Sequence, residues 1–307
     1  MGDNGQWDAD LFRREGHRMV DWIAEYLDGG AREMPVLAQV EPGEISGQLP
    51  TAMPEQAEDP EAVWQDFQNI ILPGVTHWNH PGFMAYFGIT GSGPGILGDL
   101  MSSALNVNGM LWRTCPSCTE LELSVLDWLR DGMGLPGELC GFLCDTASVS
   151  SMLSLAAARE AADPEVRRLG MAGRADLKPF RVYASDQAHS SIAKACVTLG
   201  LGLDGFRGIA HDDDYRMDVA ALETAIAEDR ASGTRPLAVV ATVGTTSTTS
   251  VDPVAAIGEI CRREGLWFHV DAAYAGSAMI CPEFRHHQEG LELVDSYVFN
   301  PHKWLLT

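Results

Sequence analysis

Residues 295–307 read DSYVFNPHKWLLT, and the position of the lysine within them decides how the chain is to be folded. The run from Ser296 to Phe299 is short and apolar, bounded by Asp295 and by the Asn300-Pro301 turn signal. That is the pattern of a brief buried strand. Lys303 then stands just past the strand's carboxyl end, the edge at which open α/β sheets bind ligands. The segment KWLL (303–306) reads as the start of a further strand. A lone lysine is ordinarily a surface residue, so the weight falls on what the other strand ends carry.

Upstream, short apolar runs alternate with helical stretches. GFLCD (141–145) precedes a helix over 149–162, and FRVYASD (180–186) precedes one over 190–199. LAVVATVG (237–244) precedes a helix over 252–264, followed by LWFHVDAA (266–273) and SYVFN (296–300). This rhythm predicts an α/β fold, a mainly parallel sheet wrapped by helices. Polar residues close each run: Asp145 to Ser148, Asp186 to His189, Gly244 to Thr246, Asp271, and Asn300 to Lys303. In a parallel sheet these clusters meet along one edge.

The N-terminal part has a different texture. Residues 7–28 form an amphipathic helix by pattern, with Asp8 as N-cap and Phe12, Met19, Val20, Ile23, Tyr26 and Leu27 on one stripe. Gly29-Gly30 ends it. Residues 35–60 are Pro-rich and irregular, and a second helix is expected near 61–71. The expected organisation is a helical and extended segment over 1–85 followed by a large domain over 86–307.

Twenty-one basic against 43 acidic residues leave a net charge of −22. That argues against nucleic acid and anionic membrane surfaces as partners; the acidity itself is read as serving solubility or adaptation to salt. No apolar run reaches membrane-spanning length, MGDNGQWDAD is acidic where a signal peptide is basic, and Gln6 breaks the myristoylation pattern. The expected location is cytoplasmic, and seven cysteines with no small-scaffold spacing agree with a reducing compartment.

Asp271 ends a strand and is followed by small residues. Neighbouring strands lie roughly 4.8 Å apart, so an acid and an amine on nearby strand ends can flank a flat ring. Pyridoxal phosphate requires that pairing: a lysine amine for its aldehyde and a carboxylate for its pyridine nitrogen. DTASVSSM (145–152) offers hydroxyls and backbone N–H groups to a phosphate at a helix start.

The chain resembles the pyridoxal-phosphate-dependent decarboxylases of the aromatic L-amino acid group. The resemblance rests on VDAAYAGSAMICPEFRH (270–286) and FNPHKWLL (299–306), with YASDQAHSSIAKA (183–195), ATVGTTSTTS (241–250), PGVTHWNHPGFMAYF (73–87) and CPSCTELELSVLDWL (115–129) in the family's order. It extends from LFRREGHRMVDWIAEYL (11–27) to the last residue. The fold it implies is that of the fold-type I pyridoxal-phosphate enzymes. By the resemblance, Lys303 is the Schiff-base lysine, Asp271 the partner of the pyridine nitrogen, and His189 the imidazole stacked on the cofactor ring. Ala147 and Ser148 match the phosphate-contacting pair, with Asn300 and His302 near the phosphate. Thr246 lies near the cofactor and Ala273 against its ring face. Lys303, His189, Asp271 and His302 are thus the candidate catalytic residues, and Trp78, Tyr86 and Phe87 match the aromatic substrate pocket. No metal is implied. The sequence departs from the family at DTASVS, where better-known members carry a Gly-Ser-Ala-Ser-Glu type sequence; Asp145 there adds a negative charge near the phosphate.

The implied activity converts an aromatic L-amino acid to its amine and carbon dioxide, in a homodimer with the N-terminal helices packed across subunits. An aldehyde synthase, or a decarboxylase of another amino acid, fits the same residues, because the loop that separates these outcomes lies beyond residue 307 in the relatives. The large domain is expected to be incomplete at its C-terminus, and the chain alone to aggregate or bind cofactor weakly without turnover; an inactive fragment that only folds or dimerises is the alternative of another class.

Other readings compete. Gly93-x-Gly95-x-x-Gly98, with Glu120 downstream, matches a dinucleotide fingerprint and hence a nicotinamide-dependent oxidoreductase, although it does not open the βαβ series. Cys115-x-x-Cys118 with Cys140 and Cys144 approximates a zinc spacing, but Cys140 and Cys144 fall on one face of an expected strand and read as core. HDDDY (211–215) reads as a solvated acidic turn. Taken alone, Trp78, Tyr86 and Phe87 read as core, His189 as a structural histidine and Asp271 as a helix cap. No GxSxG, HExxH or P-loop occurs.

Overall fold

The computed structural model describes residues 8–89 and 91–307. The first position of the expected 7–28 helix, and residues 1–7 of the acidic segment weighed as a signal peptide, lie outside the described residues. Two compact units are present, residues 1–90 and 91–307.

In the first unit, helix α1 (Ala9–Leu27) starts where expected: Asp8 caps it by accepting the Leu11 amide at 2.7 Å. It ends at Gly29, whose φ of 116° is open to glycine at little cost. Residues 35–59 contain only one short 3₁₀ turn, Ser46–Gln48. Helix α2 (Pro60–Asp66) is capped by Asp59 and runs on into a π-turn at Phe67–Ile71. The two helices are joined by an Arg18–Glu61 ion pair at 2.6 Å and by edge-on packing of Trp22 with Trp64 and Phe67.

The second unit begins with α3 (Gly93–Leu105), α4 (Pro116–Met133), α5 (Ala147–Ala162) and the short α6 (Val166–Leu169). The sheet follows, built from β1 (Phe180–Ser185), α7 (Ser191–Thr198), β2 (Phe206–Ile209), α8 (Val219–Ala231), β3 (Arg235–Thr242), α9 (Val254–Glu264), β4 (Trp267–Asp271) and β5 (Ser296–Val298). Helix α10 (Pro301–Trp304) carries the lysine. The strand order is β2-β1-β3-β4-β5, and every pairing is parallel.

Both sheet faces are covered, which is why the strands read as continuous apolar runs rather than alternating ones. Val182, Ala184, Ala238 and Val240 pack with Leu155 of α5 and Ile192, Ala195 and Cys196 of α7. Val239, Ala241, Phe268 and Val270 pack on the opposite face with Leu222 and Ile226 of α8 and Ile257 and Ile260 of α9. From β1 the chain steps outward to β2, then returns across β1 to β3. The strand order therefore reverses between β1 and β3, and crevices for ligands open at such reversals, outside the carboxyl ends.

Two expectations are corrected here. GFLCD is not a strand: no neighbour supplies a ladder among the described residues, the Leu143 amide goes to the Glu122 carboxylate at 2.8 Å, and Phe142 and Leu143 are exposed. KWLL is not a strand either, because Pro301 fixes a helical φ at the first position of α10 and the turn holds through Trp304. Strand β2 carries no apolar alternation (Phe-Arg-Gly-Ile) and was not anticipated. Among the described residues no helix is long and apolar enough to cross a membrane.

Candidate active site

Asp271 is the last residue of β4, 5% exposed, and its Oδ1 accepts the Ala273 amide at 3.1 Å. Its strand is flanked by β3, with Thr242 opposite Asp271, and by β5, with Val298 opposite it. The ladder continues beyond the strands. The Ala272 amide donates to Val298 O at 2.9 Å and the Asn300 amide to Ala273 O at 3.2 Å. These bonds seat the Asn300 turn against the Asp271 turn, and the Lys303 amide closes back on Asn300 O at 3.2 Å. Tyr274 meets Trp304 edge-on at 5.4 Å, which fastens the lysine turn to the same loop.

Lys303 is half-buried. Burial pushes its ammonium pKa down, and the Asp271 carboxylate pulls partly the other way. The net lowering favours a neutral, nucleophilic amine over that of a surface lysine. Its neighbour His302 is shifted down as well, by desolvation and then by the Lys303 charge; the Asn300 amide nitrogen lies 3.5 Å from its Nε2.

The other candidate residues sit along the same edge. His189 follows β1, and its Nδ1 accepts the Ser191 amide at 3.2 Å with the Ser191 hydroxyl at 2.9 Å. Since Nδ1 is an acceptor there, the proton of the neutral ring is on Nε2. Thr246 follows β3 and is exposed, whereas Thr245 is buried and bonded to Thr248 and Ser250. Gly244 makes this turn possible: its φ is 89°, and a Cβ would lie 2.8 Å from Tyr274 Cδ1 and 3.0 Å from the Ala275 Cβ. Gly276 is pressed as closely, against Phe299 and Tyr297. Two glycines thus draw the β3, β4 and β5 turns together.

Ala147 and Ser148 are the first two residues of α5, behind the Thr146 cap that accepts the Val149 amide at 3.2 Å. Their own amides have no intrahelical acceptor and point out of the helix start. Asp145 is exposed just before this turn. Ala147 and Asn300 border a groove of about 440 Å³ along the outer edge of β5, which Asp271, Lys303, His189 and Thr246 do not line.

Beneath Asp271 lies a polar link that sequence reasoning missed. His269 is fully buried; its Nε2 is 3.1 Å from Ser151 Oγ on α5, and its Nδ1 is 2.9 Å from Ser296 Oγ on β5. Trp267 Nε1 donates to the same Ser296 hydroxyl at 2.8 Å. Desolvation holds the His269 pKa down, against the nearby Asp271 charge. The available signal was spacing, since alternation along a strand places residues 269 and 271 on one face.

Trp78, Tyr86 and Phe87 belong to the first unit. Trp78 stacks on Phe83 at 4.6 Å and on Tyr86 at 5.5 Å, and Tyr86 is 75% exposed, so these are not core residues. Gly93, Gly95 and Gly98 all lie inside α3, and among the described residues no strand precedes them. A dinucleotide loop needs its glycines between strand and helix, so the oxidoreductase reading fails. Cys140 is exposed, Cys144 half-buried, and neither is on a strand; no cluster of three metal-ligating residues exists among the described residues. HDDDY is the expected turn, with Asp212 accepting the amides of Asp214 and Arg216 ahead of the Asp218 cap.

Residues 42–307 match the family model described as the pyridoxal-dependent decarboxylase conserved domain. The chain is 44% identical over 313 residues to the aromatic-L-amino-acid decarboxylase of Bos taurus, covering 97% of this chain and 62% of the bovine protein. It is 41% identical over 308 residues to the phenylacetaldehyde synthase of Arabidopsis thaliana, covering 98% of this chain and 61% of that protein. The crystal structure of Oryza sativa TDC with PLP and tryptamine superposes with a TM-score of 0.90 at 42% identity, covering 98% of this chain and 65% of the rice chain. The chain thus spans a little under two thirds of the relatives it matches.

Proposed function

The chain belongs to the pyridoxal-dependent decarboxylase family, and from that premise we propose that it serves the decarboxylation of an aromatic L-amino acid to its amine and carbon dioxide. The cofactor is pyridoxal 5'-phosphate. One observation carries the assignment: a half-buried lysine whose ammonium is disfavoured by burial stands one strand away from a buried carboxylate, their turns stitched by the Asn300–Ala273 bond.

The residues present fit the cofactor. Lys303 offers the amine for its aldehyde, Asp271 a carboxylate for its ring nitrogen, and the start of α5 unpaired amides and the Ser148 hydroxyl for its phosphate, with Asn300 and His302 nearby. When bound, pyridoxal phosphate supplies the electron sink for the pair left on Cα as carbon dioxide departs. Asp271 keeps a proton on the ring nitrogen; at 5% exposure its charge is little screened by water. The Lys303 amine would carry a proton at the substrate's Cα. His189 is held by its Nδ1 contacts, which fix the imidazole plane for stacking on a ring, while Ala273 offers a small face and Thr246 a hydroxyl. His302 is an exposed imidazole one residue from the amine and serves proton exchange there. Trp78, Tyr86 and Phe87, three aromatics on one short segment, are assigned to the substrate's ring. Residues 1–85 are assigned to a dimer arm ahead of the cofactor domain of residues 86–307, in a cytoplasmic homodimer.

The identity to the Arabidopsis phenylacetaldehyde synthase, within three percentage points of that to the bovine decarboxylase, supports a second reading: aldehyde in place of amine. Borohydride reduction in the presence of pyridoxal phosphate, then peptide mass mapping, tests the site. The cofactor mass is expected on Lys303 and is expected to vanish from Lys303→Ala. A reduced adduct on any other lysine overturns the assignment. Product analysis with aromatic amino acids separates amine from aldehyde.

A further inference from the structure

We propose that Cys115 and Cys118 form a redox-active dithiol that closes reversibly to a disulfide across the first turn of α4. The two sulfurs are 2.9 Å apart, and both residues are reduced in this structure. The sequence Cys115-Pro116-Ser117-Cys118 makes the juxtaposition. Cys115 is the N-cap residue, held in place by its amide's bond to Leu111 O at 3.2 Å. Pro116 occupies the first helical position and presets its φ. One turn later Cys118 returns above Cys115. A disulfide bond is about 2.05 Å long, so closure asks the sulfurs to move by a little under 1 Å without unwinding the helix.

The surroundings favour a thiolate at this pair. Cys115 lies at the amino end of an 18-residue helix, whose partial positive charge stabilises an anion. The Cys118 thiol and then the Ser117 hydroxyl, 3.6 Å from Cys115 Sγ, lower the Cys115 pKa below the ordinary thiol range. The other perturbed thiols go the opposite way: the bond to Cys115 raises its partner Cys118, and burial raises Cys144, lifts Cys196 to about 11 and raises Cys261 further. Cys118 is half-buried and gives the pair its opening to solvent.

The oxidant is a small-molecule disulfide of the glutathione class. A thiolate of the pair attacks one sulfur of that disulfide and expels one thiolate, leaving a mixed disulfide on the protein. The second cysteine gives up its proton, attacks the protein sulfur and expels the second thiolate. The pair loses two electrons and two protons, and the external disulfide becomes two thiols. In a reducing compartment such a bond is transient and reports redox state rather than holding the fold.

Tryptic cleavage after Arg113 and Arg130 gives the peptide TCPSCTELELSVLDWLR, which contains both cysteines and no others. The full chain is equilibrated with a series of oxidised and reduced glutathione ratios, quenched with acid and N-ethylmaleimide, and mapped by mass spectrometry. As oxidation proceeds, the peptide is expected to pass from doubly alkylated to unalkylated and two hydrogens lighter, and to return with dithiothreitol. Native geometry makes closure at least about tenfold more favourable in the folded chain than in urea, a difference of about 30 mV. A peptide that stays doubly alkylated at every ratio, closes equally in urea, or pairs with Cys140 or Cys281 instead overturns the proposal.

Discussion

Replacing His269 by leucine tests the link beneath Asp271 in two independent ways. The first is stability. The substitution keeps the volume roughly constant but removes the hydrogen bonds from His269 to Ser151 and to Ser296. Ser296 keeps the Trp267 indole N–H. Ser151 is wholly buried and loses the imidazole its hydroxyl bonds to. Two net hydrogen bonds at about 1 kcal/mol each, plus about 1 kcal/mol for a stranded hydroxyl, less the gain from a more apolar side chain, give a loss of about 2–3 kcal/mol in urea unfolding. The second is pH. His269 is neutral in the folded chain because burial holds its pKa down, whereas unfolded histidine takes up a proton near pH 6.5. Below about pH 6.5 the unfolded state therefore binds the extra proton, and folding stability falls by up to about 1.4 kcal/mol per pH unit. Asp252 contributes the opposite slope. Its carboxyl is raised to about 6 by desolvation, so it stabilises the fold below the unfolded carboxylate range and loses that contribution as pH rises through about 6. The wild-type curve blends the two. The difference between wild type and His269→Leu isolates the histidine, and it is expected to shrink from pH 7 to pH 5. A difference that is flat with pH, or an imidazole that titrates near 6.5 in the folded protein by NMR, refutes the reasoning.

Three further outcomes are expected. Asp271→Asn retains an acceptor for the Ala273 amide, so folding is spared, but it cannot hold a ring nitrogen protonated; kcat should drop by about 100-fold or more with little change in KM. Gly244→Ala places a Cβ 2.8 Å from Tyr274 at a φ of 89°, and should cost about 1–3 kcal/mol by urea unfolding while weakening cofactor retention through the displaced Thr246 turn. Asp252→Ala strands the Met217 and Thr242 amides, which its two oxygens accept at 2.7 and 2.8 Å, and should lower stability by about 2–4 kcal/mol at pH 5 and by less at pH 7, where the wild-type carboxylate is itself penalised by burial.

What could be read from the sequence, and what could not, follows from the range over which each feature is determined. The runs at 180–186, 237–244, 266–273 and 296–300 all became strands because their apolar character is continuous, and only a sheet covered on both faces asks for that. The Asp8 cap was equally local: it accepts the Leu11 amide three residues on, within the span that a sequence displays. GFLCD failed because a strand is a property of two segments. Its apolar pattern was present, but the Leu143 amide found a carboxylate rather than a neighbouring ladder. KWLL failed for the converse reason, a single proline outweighing the apolar tendency of the residues behind it. Strand β2 is half-exposed at the sheet edge, where burial imposes too little pattern to detect.

The site divides along the same line. Asp271 and Lys303 were visible because one ends a strand and the other stands just past a strand's end, each with a charge that the position does not need for folding. His269, Ser151 and Ser296 were not, because nothing in FHVD, VSSM or DSYV distinguishes a bonded buried triad from ordinary strand and helix residues until β4 lies between α5 and β5. That placement is itself informative. A buried histidine costs desolvation unless both nitrogens are satisfied, and here they are satisfied by the helix that starts at Ala147 and by the strand that leads to Lys303. The triad therefore fixes the distance between the start of α5 and the turn that carries Lys303, with Asp271 two residues above it on the strand between. A side chain at no strand end thus sets the relative position of the α5 start, the Asp271 turn and the Lys303 turn.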